Sequence, residues 1–170
     1  NDLNRSEMTF GSDFKALSEK TTESKAYIGK APSSDEFYNA VAKSNLFVYI
    51  GHSGGEQYVK LKNLRKCQRL APSLLFGCSS AHLRYCGSFE SSGTVYSYLL
   101  GGSPMVVGNL WDVTDKDTDK LTMGIFEKTG LVQTEKSIKG HSSLNVSEAI
   151  AQSRSQCNMK YLNGAAMVVY

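Results

Sequence analysis

Short apolar runs alternate with longer amphipathic segments along most of this chain. Each run has three to seven residues, is rich in aromatic and branched side chains and adjoins a glycine or proline, which is typical of buried strands. These runs occupy residues 46–50, 74–76, 105–111 and 165–170. The segments between them predict helices that begin near residues 32, 94, 115 and 147. Strands alternating with helices predict an α/β fold, with a mainly parallel sheet flanked by helices on both faces.

The remaining segments carry weaker patterns. They predict an edge segment, a short basic helix, and a helical or irregular stretch, at residues 56–59, 61–67 and 79–84. Residues 129–143 are polar and predict a loop. We expect residues 1–25 to be a flexible or partner-covered segment before one domain over residues 26–170. Because the chain starts at asparagine and stops inside an apolar run, we also expect a piece of a larger protein.

Two of the predicted strands end in glycine-rich turns that each hold one reactive side chain. The first turn carries His52 between Gly51 and Gly54, and the second carries Cys78 directly after Gly77. Parallel strands place their carboxyl ends at one edge of the sheet, where ligands and chemistry collect. We therefore expect His52 and Cys78 to meet there, as an imidazole that activates a thiolate nucleophile.

Structural roles are the alternative for both side chains. A free cysteine is more often buried than reactive, and we expect that role for Cys67, Cys86 and Cys157. A lone histidine is also more often structural. The turn around His52 has the glycines of a phosphate-binding loop, but no Lys-Ser/Thr pair follows it. The presence of both turns in one chain favours a hydrolase with a cysteine nucleophile.

The composition narrows the function only slightly. The 170 residues are 41% hydrophobic and 21% charged with a net charge of +3, which is ordinary for a globular domain. Lysine and arginine form no block that indicates nucleic-acid binding, no apolar run is long enough to span a membrane, and no signal-peptide pattern is present. The four cysteines have the spacing of neither a zinc site nor a small disulfide framework. We therefore expect a reducing, intracellular environment and neither metal nor cofactor.

Several specific motifs occur together in this sequence. They are Y-I-G-H-x-G-G-E-Q-Y at residues 49–58, G-C-S-S at residues 77–80 and G-N-L-W-D-V-T-D-K-D at residues 108–117, with shorter ones at residues 93–94 and 161–166. In combination they resemble the separase family, over roughly residues 27–170. The resemblance implies a caspase-like protease domain, the C-terminal part of large endopeptidases that cut the kleisin subunit of cohesin at anaphase onset.

The resemblance also assigns roles in the reaction. It makes Cys78 the nucleophile and His52 the general base and acid. In the caspase-like arrangement, the backbone amides of Ser53 and Cys78 bind the oxyanion. The family usually has glycine directly after the histidine. If that position needs positive φ, the serine costs about 1 kcal/mol and shifts the oxyanion amide.

Separases cleave after arginine, so the resemblance implies an acidic pocket for the guanidinium. The candidate carboxylates follow the third predicted strand, with Asp119 favoured and Asp112 second, ahead of Asp115 and Asp117. Trp111 is expected to form an apolar wall of the pocket. Alternatively, some of these acids stabilise the start of a helix near Asp115, and Trp111 belongs to the core.

The implied partners are the cohesin kleisin subunit as substrate, securin as inhibitor and chaperone, and the rest of the separase chain, without membrane or direct nucleic-acid binding. The implied location is the nucleus and cytoplasm, with spindle association in mitosis. Two other functions stay open. One is another caspase-like peptidase with the same dyad, and the other is an inactive protease-like module that binds securin or a scaffold partner.

Overall fold

The described part of the chain folds around a four-stranded sheet. The structure, a computed structural model, describes residues 25–132 and 143–170, so the predictions for residues 1–24 and 133–142 lie outside it. In chain order its strands are β1 (Phe47–Tyr49), β2 (Ser73–Leu75), β3 (Arg84–Cys86), β4 (Phe89–Ser92), β5 (Val106–Asn109) and β6 (Met167–Val169). The main sheet has the order β1-β2-β5-β6, in which β1, β2 and β5 are parallel and β6 is antiparallel. The expected mainly parallel sheet is therefore confirmed.

Helices cover both faces of this sheet. They are α1 (Ser34–Lys43), α2 (Leu61–Leu64), α3 (Thr94–Leu100), α4 (Asp115–Thr129), α5 (Val146–Ser153), a 3-10 turn (Arg154–Gln156) and α6 (Asn163–Ala166). Successive strand residues point to opposite faces. Leu75 therefore packs in a core with residues of α1 to α3, whereas Leu74 packs in a second core with residues of α4 and α5.

Local sequence signals explain where several helices begin and end. Ser33 and Glu36 form a reciprocal capping box at the start of α1. Asn145 Oδ1 accepts from Glu148 N at 2.9 Å at the start of α5. Helix α4 ends at Gly130, whose φ of 75° favours glycine.

Some local predictions differ from the structure. Residues 56–59 form turns, so the predicted edge segment is wrong, and the helix after them ends at Leu64 rather than near residue 67. The stretch after Cys78 is irregular, as the sequence allows, but it continues into a β3–β4 hairpin that the sequence analysis does not anticipate. The two strands of this hairpin are largely exposed and pair only with each other, so no apolar alternation marks them.

Candidate active site

The register of two parallel strands places His52 and Cys78 side by side along one edge of the sheet. Tyr49 of β1 pairs with Leu75 of β2. His52 follows Tyr49 by three positions, and Cys78 follows Leu75 by three positions. The structure thus brings the predicted histidine and cysteine to neighbouring turns at the carboxyl ends of adjacent strands.

Gly77 is the point at which the two turns touch. A Cβ atom at this position would overlap the Ser53 carbonyl oxygen and lie 2.6 Å from Gly51 O and 2.7 Å from Ser53 N. All three neighbours are backbone atoms, which cannot move aside as the end of a flexible side chain can. The backbone on both sides of His52 therefore lies directly against the residue before Cys78, and only glycine permits this approach.

Two polar side chains hold the backbone carbonyl of His52. Tyr49 Oη donates to His52 O at 2.8 Å, and Gln57 Nε2 donates to Tyr49 Oη at 2.7 Å and to His52 O at 3.3 Å. Burial raises the pKa of Tyr49 to about 12, so its hydroxyl remains a donor at neutral pH. Glu56 Oε2 in turn accepts from Gly54 N at 2.8 Å. These contacts fix the turn while the His52 side chain stays exposed.

Sequence reasoning missed this supporting role of Glu56 and Gln57. Both belong to the Glu-Gln-Tyr sequence that directly follows the glycines of the His52 turn. Polar side chains at that place could have indicated a scaffold, because the amides and carbonyls of a tight turn need partners. Which backbone group each side chain reaches depends on the folded turn, and no sequence period encodes it.

The turn that carries Cys78 is anchored to strand β5. The thiol is half-buried, and its Sγ lies 3.2 Å from Val113 O and 3.5 Å from Val113 N. Asn109, which is 1% exposed, donates from Nδ2 to Gly77 O at 3.1 Å, and its own N donates to Ser80 Oγ at 3.0 Å. Asn109 is another residue without a predicted role; a buried amide at the end of an apolar run was the available signal.

The two amides expected to bind an oxyanion are unoccupied by other groups of the described chain. Within residues 25–132 and 143–170, neither Ser53 N nor Cys78 N donates a hydrogen bond. Ser53 has a φ of 53°, so the position does need the conformation that favours glycine. Ser79, directly after Cys78, has nearly the same φ of 52°. Free backbone amides beside a thiol can stabilise negative charge on a bound carbonyl oxygen.

Asp117, one of the acids considered for the arginine pocket, has a structural role, but it binds groups outside α4 rather than the first amides of that helix. This carboxylate is 1% exposed and accepts from Asn158 N at 2.8 Å, Met159 N at 2.9 Å and Asn163 Nδ2 at 2.8 Å. Burial opposes its ionisation, but these hydrogen bonds outweigh that effect and hold the pKa of Asp117 below its ordinary value. Asp117 therefore ties the start of α4 to the segment before α6.

Asp119 and Asp112 differ from Asp117 because no backbone N–H of the described residues donates a hydrogen bond to either carboxylate. Asp119 is half-buried in α4. Desolvation and, secondarily, the neighbouring Asp115 carboxylate raise the pKa of Asp119 to about 6. Asp112 is exposed and accepts from Ser79 Oγ at 2.6 Å, which places it beside the Cys78 turn. Both carboxylates are accessible to a cation.

Trp111, directly before Asp112 in the chain, lies at the surface rather than in the core. It follows β5 by two positions and is 38% exposed. Its Nε1 donates to Leu162 O at 3.1 Å, and its carbonyl accepts from Ser79 N at 3.1 Å. The core alternative for Trp111 is therefore wrong, and its exposed ring can form one wall of a pocket.

The described part of the chain is also expected to lack disulfides, metal sites and membrane-spanning helices. All four cysteines are free thiols. No cluster of three or more His, Cys, Asp or Glu within residues 25–132 and 143–170 could hold a metal ion. No helix in those ranges has both the length and the apolar character needed to cross a membrane.

The chain is similar in sequence to known proteins of one family. The family model described as "Separin, protease domain" matches residues 1–118. The separin of Saccharomyces cerevisiae is 48% identical over 99% of this chain, that of Schizosaccharomyces pombe 42% over 86%, and that of Mus musculus 34% over 92%. The chain spans only 10%, 8% and 7% of the length of these relatives.

A solved structure supports the same relationship. The crystal structure of the Saccharomyces cerevisiae separase–securin complex matches 99% of this chain with a TM-score of 0.89 and 48% sequence identity, and the match covers 11% of that chain. The likeness confirms the expected caspase-like α/β fold. With the family match and the identities of the relatives, it shows that this chain belongs to the separin, or separase, protease-domain family.

Proposed function

We propose that this chain is the catalytic domain of a cysteine endopeptidase that cuts the kleisin subunit of cohesin after arginine. The observation that carries the proposal is the equivalent placement of His52 and Cys78 in the turns after paired strands, beside two amides that have no acceptor in the described chain. An imidazole, a thiol and free amides at one place are the groups that acyl transfer through a thioester requires.

The reaction follows from these groups. His52 takes the thiol proton, and Cys78 Sγ attacks the scissile carbonyl carbon. The oxyanion that forms lies against the amides of Ser53 and Cys78, which stabilise it most where charge develops. His52 then returns the proton to the leaving amine as the C–N bond breaks, which leaves a thioester on Cys78. Water, deprotonated by His52, hydrolyses the thioester and restores the thiol.

Arginine is selected by the acids that follow β5. Asp119 receives the guanidinium in this proposal, with Asp112 as the second candidate and Trp111 as an apolar wall. A carboxylate can accept two parallel hydrogen bonds from a guanidinium, whereas lysine offers a single point charge. The half-buried position of Asp119 and its lack of a described hydrogen-bond partner leave its oxygens available for this contact.

The partners and location are part of the proposal. The Saccharomyces cerevisiae relative has been crystallised in complex with securin, so we propose securin as the inhibitor and chaperone of this protein. The rest of a separase chain is the other partner. We further propose that the protein is located in the nucleus and cytoplasm and associates with the spindle in mitosis.

Cleavage of a kleisin fragment tests the proposal. We expect the full-length protein that contains this chain to cut the fragment after a single arginine, as read by N-terminal sequencing of the products. Cys78→Ala should abolish the cut, whereas Cys67→Ser, which replaces another half-buried thiol, should retain it.

Labelling by an arginyl acyloxymethyl ketone adds a measurement that needs no protein substrate. The wild type and Cys67→Ser should be labelled, and Cys78→Ser should not. A folded wild-type protein that neither cuts nor becomes labelled would instead be an inactive module that binds securin. Cleavage lost in Cys78→Ala but directed after another residue type would indicate a different caspase-like peptidase.

A further inference from the structure

A cleft adjoins the proposed reaction centre, and one of its lining residues, Ser79, donates to Asp112 Oδ1 at 2.6 Å. It has a volume of about 380 Å³, and its walls include Ser53 and Ser79, the residues directly after His52 and Cys78. The rest of its lining comes from the His52 turn, the two ends of α2, His82, and the hairpin with the segment that leads into α3. The proposed function leaves this cleft without an occupant.

The order of the strands fixes where the cleft lies along a bound peptide. In the order β1-β2-β5, the Cys78 turn after β2 lies between the His52 turn after β1 and the acidic loop after β5. Adjacent strands are about 4.8 Å apart, and an extended peptide advances about 3.3 Å per residue. A peptide with its arginine among the acids and its scissile bond at Cys78 therefore places its next two or three residues over the β1 side, where the cleft opens.

The charges in the cleft favour an anion. Its charged or titratable side chains are Arg65, Arg84, Glu56 and His82. The Glu56 carboxylate already accepts from Gly54 N at 2.8 Å. Within residues 25–132 and 143–170, neither arginine is paired with a carboxylate, and both are exposed. The cleft thus has two cations against one carboxylate that is engaged in holding the His52 turn.

Arg65 is also oriented in advance of binding. Its Nε donates to Ser97 Oγ at 3.0 Å, and Ser97 is 0% exposed. A guanidinium held through Nε still presents its terminal nitrogens, which match the two oxygens of a carboxylate. Fixing the side chain beforehand reduces the entropy lost when a ligand is bound.

His82 contributes a polar wall to the cleft. Its Nδ1 lies 3.2 Å from Leu110 O, and because a carbonyl oxygen only accepts, Nδ1 carries the hydrogen in this contact. The other ring nitrogen is then an acceptor in the neutral ring. It can receive a backbone N–H of a peptide without opposing the two arginines.

We propose that this cleft is a subsite for the residues that follow the scissile bond, and that it selects aspartate or glutamate there. The proposal rests on the proposed function, because it takes the direction of the peptide from an arginine held by the acids after β5. The protein would then recognise two features of its substrate, an arginine before the scissile bond and an acidic residue after it.

A quenched-peptide series tests the subsite in the full-length protein. The peptides are identical up to the arginine and carry Glu-Glu, Gln-Gln or Lys-Lys as the second and third residues after the cut. We expect kcat/KM to be about tenfold higher for Glu-Glu than for Gln-Gln, mainly through a lower KM, and lowest for Lys-Lys. The preference should weaken with added salt because the arginines are exposed.

A charge reversal provides the matched comparison. Arg84→Glu should remove the preference for Glu-Glu and raise cleavage of Lys-Lys, whereas Arg69→Glu, an exposed arginine outside the cleft, should keep the wild-type order. Equal cleavage of Glu-Glu and Gln-Gln by the wild type would overturn the subsite but leave the proposed function intact, as would an unchanged order in Arg84→Glu. Failure to cut any peptide after arginine would overturn the proposed function itself.

Discussion

His52 and Cys78 occupy equivalent positions in the turns after two paired strands, each three residues beyond the pair formed by Tyr49 and Leu75. Adjacent strands lie about 4.8 Å apart, so equivalent positions stay close unless a turn diverts one of them. Gly77 prevents such a diversion by letting the backbone of the His52 turn rest against the Cys78 turn. The spacing of the proposed dyad therefore depends on strand register and on one glycine.

Gly77→Ala should separate the two turns. The added methyl group would overlap backbone atoms of Ser53 and Gly51, so the His52 turn must move. We expect the free energy of unfolding to fall by about 2 kcal/mol and cleavage to be lost, as measured by denaturant titration and peptide hydrolysis. Gly29→Ala is the control, because Gly29 has positive φ but nothing within 4 Å of its Cβ position. It should cost about 1 kcal/mol and leave cleavage unchanged; equal losses in both variants would contradict the role of Gly77.

Gln57→Leu should reduce activity without unfolding the protein. The substitution removes the hydrogen bonds from Gln57 Nε2 to Tyr49 Oη and His52 O, which loosens the backbone that carries the imidazole. We expect kcat to fall about tenfold, which corresponds to about 1.4 kcal/mol, with little change in KM. Gln152→Leu, at an exposed position on α5, is the control and should change neither kcat nor KM. A normal kcat in Gln57→Leu would show that the His52 turn does not need these hydrogen bonds.

Cleavage after arginine should depend on the ionisation of Asp119. Its pKa is raised to about 6, and only the carboxylate form pairs strongly with a guanidinium. We expect KM for arginyl peptides to fall as pH rises through about 6. Asp119→Asn should raise KM and abolish this dependence, whereas Asp112→Asn should keep it. The reverse result would make Asp112 the arginine ligand.

The raised pKa of Asp119 should also make the stability of the fold depend on pH. Between the ordinary value of 3.8 and about 6, the folded state binds more protons at Asp119 than the unfolded state does. Stability should therefore fall as pH rises through that window. Because Asp119 is only half-buried, we expect the loss to be about 1 kcal/mol. Urea titrations of wild type and Asp119→Asn at pH 4 and pH 7 measure it; the two proteins should differ in their pH dependence.

Asp117→Asn should destabilise the fold rather than alter specificity. An amide in place of the carboxylate directs one NH₂ group at the donors from Asn158, Met159 and Asn163. We expect the free energy of unfolding to fall by about 2 kcal/mol at pH 7. Since the folded pKa of Asp117 is lowered, the wild type should keep this stabilisation above the ordinary value of 3.8 and lose it as pH falls through the folded pKa. Asp35→Asn, in the first turn of α1, is the exposed control and should change stability by less than about 0.5 kcal/mol.

Apolar periodicity and glycine placement were sufficient to predict much of the fold. Buried strands and helices leave a signal because each must present apolar residues to a core, as the runs at residues 74–76 and 105–111 do. The β3–β4 hairpin has no such apolar pattern in the sequence, because its strands are exposed and its turn depends on Gly87, which has a φ of 65°. A glycine can indicate a turn, but it does not say what precedes or follows it.

The α/β order of elements, the two turns of small residues and the reactive residues within them could be predicted from the sequence, because these features depend on neighbours along the chain. Which polar groups meet across elements became visible only in the folded structure. Asn109 donates to the Gly77 carbonyl oxygen of the neighbouring strand's turn, and Asp117 accepts from backbone amides more than forty residues away. These hydrogen bonds depend on how strands, helices and turns pack together in space, and the local sequence pattern does not contain that information.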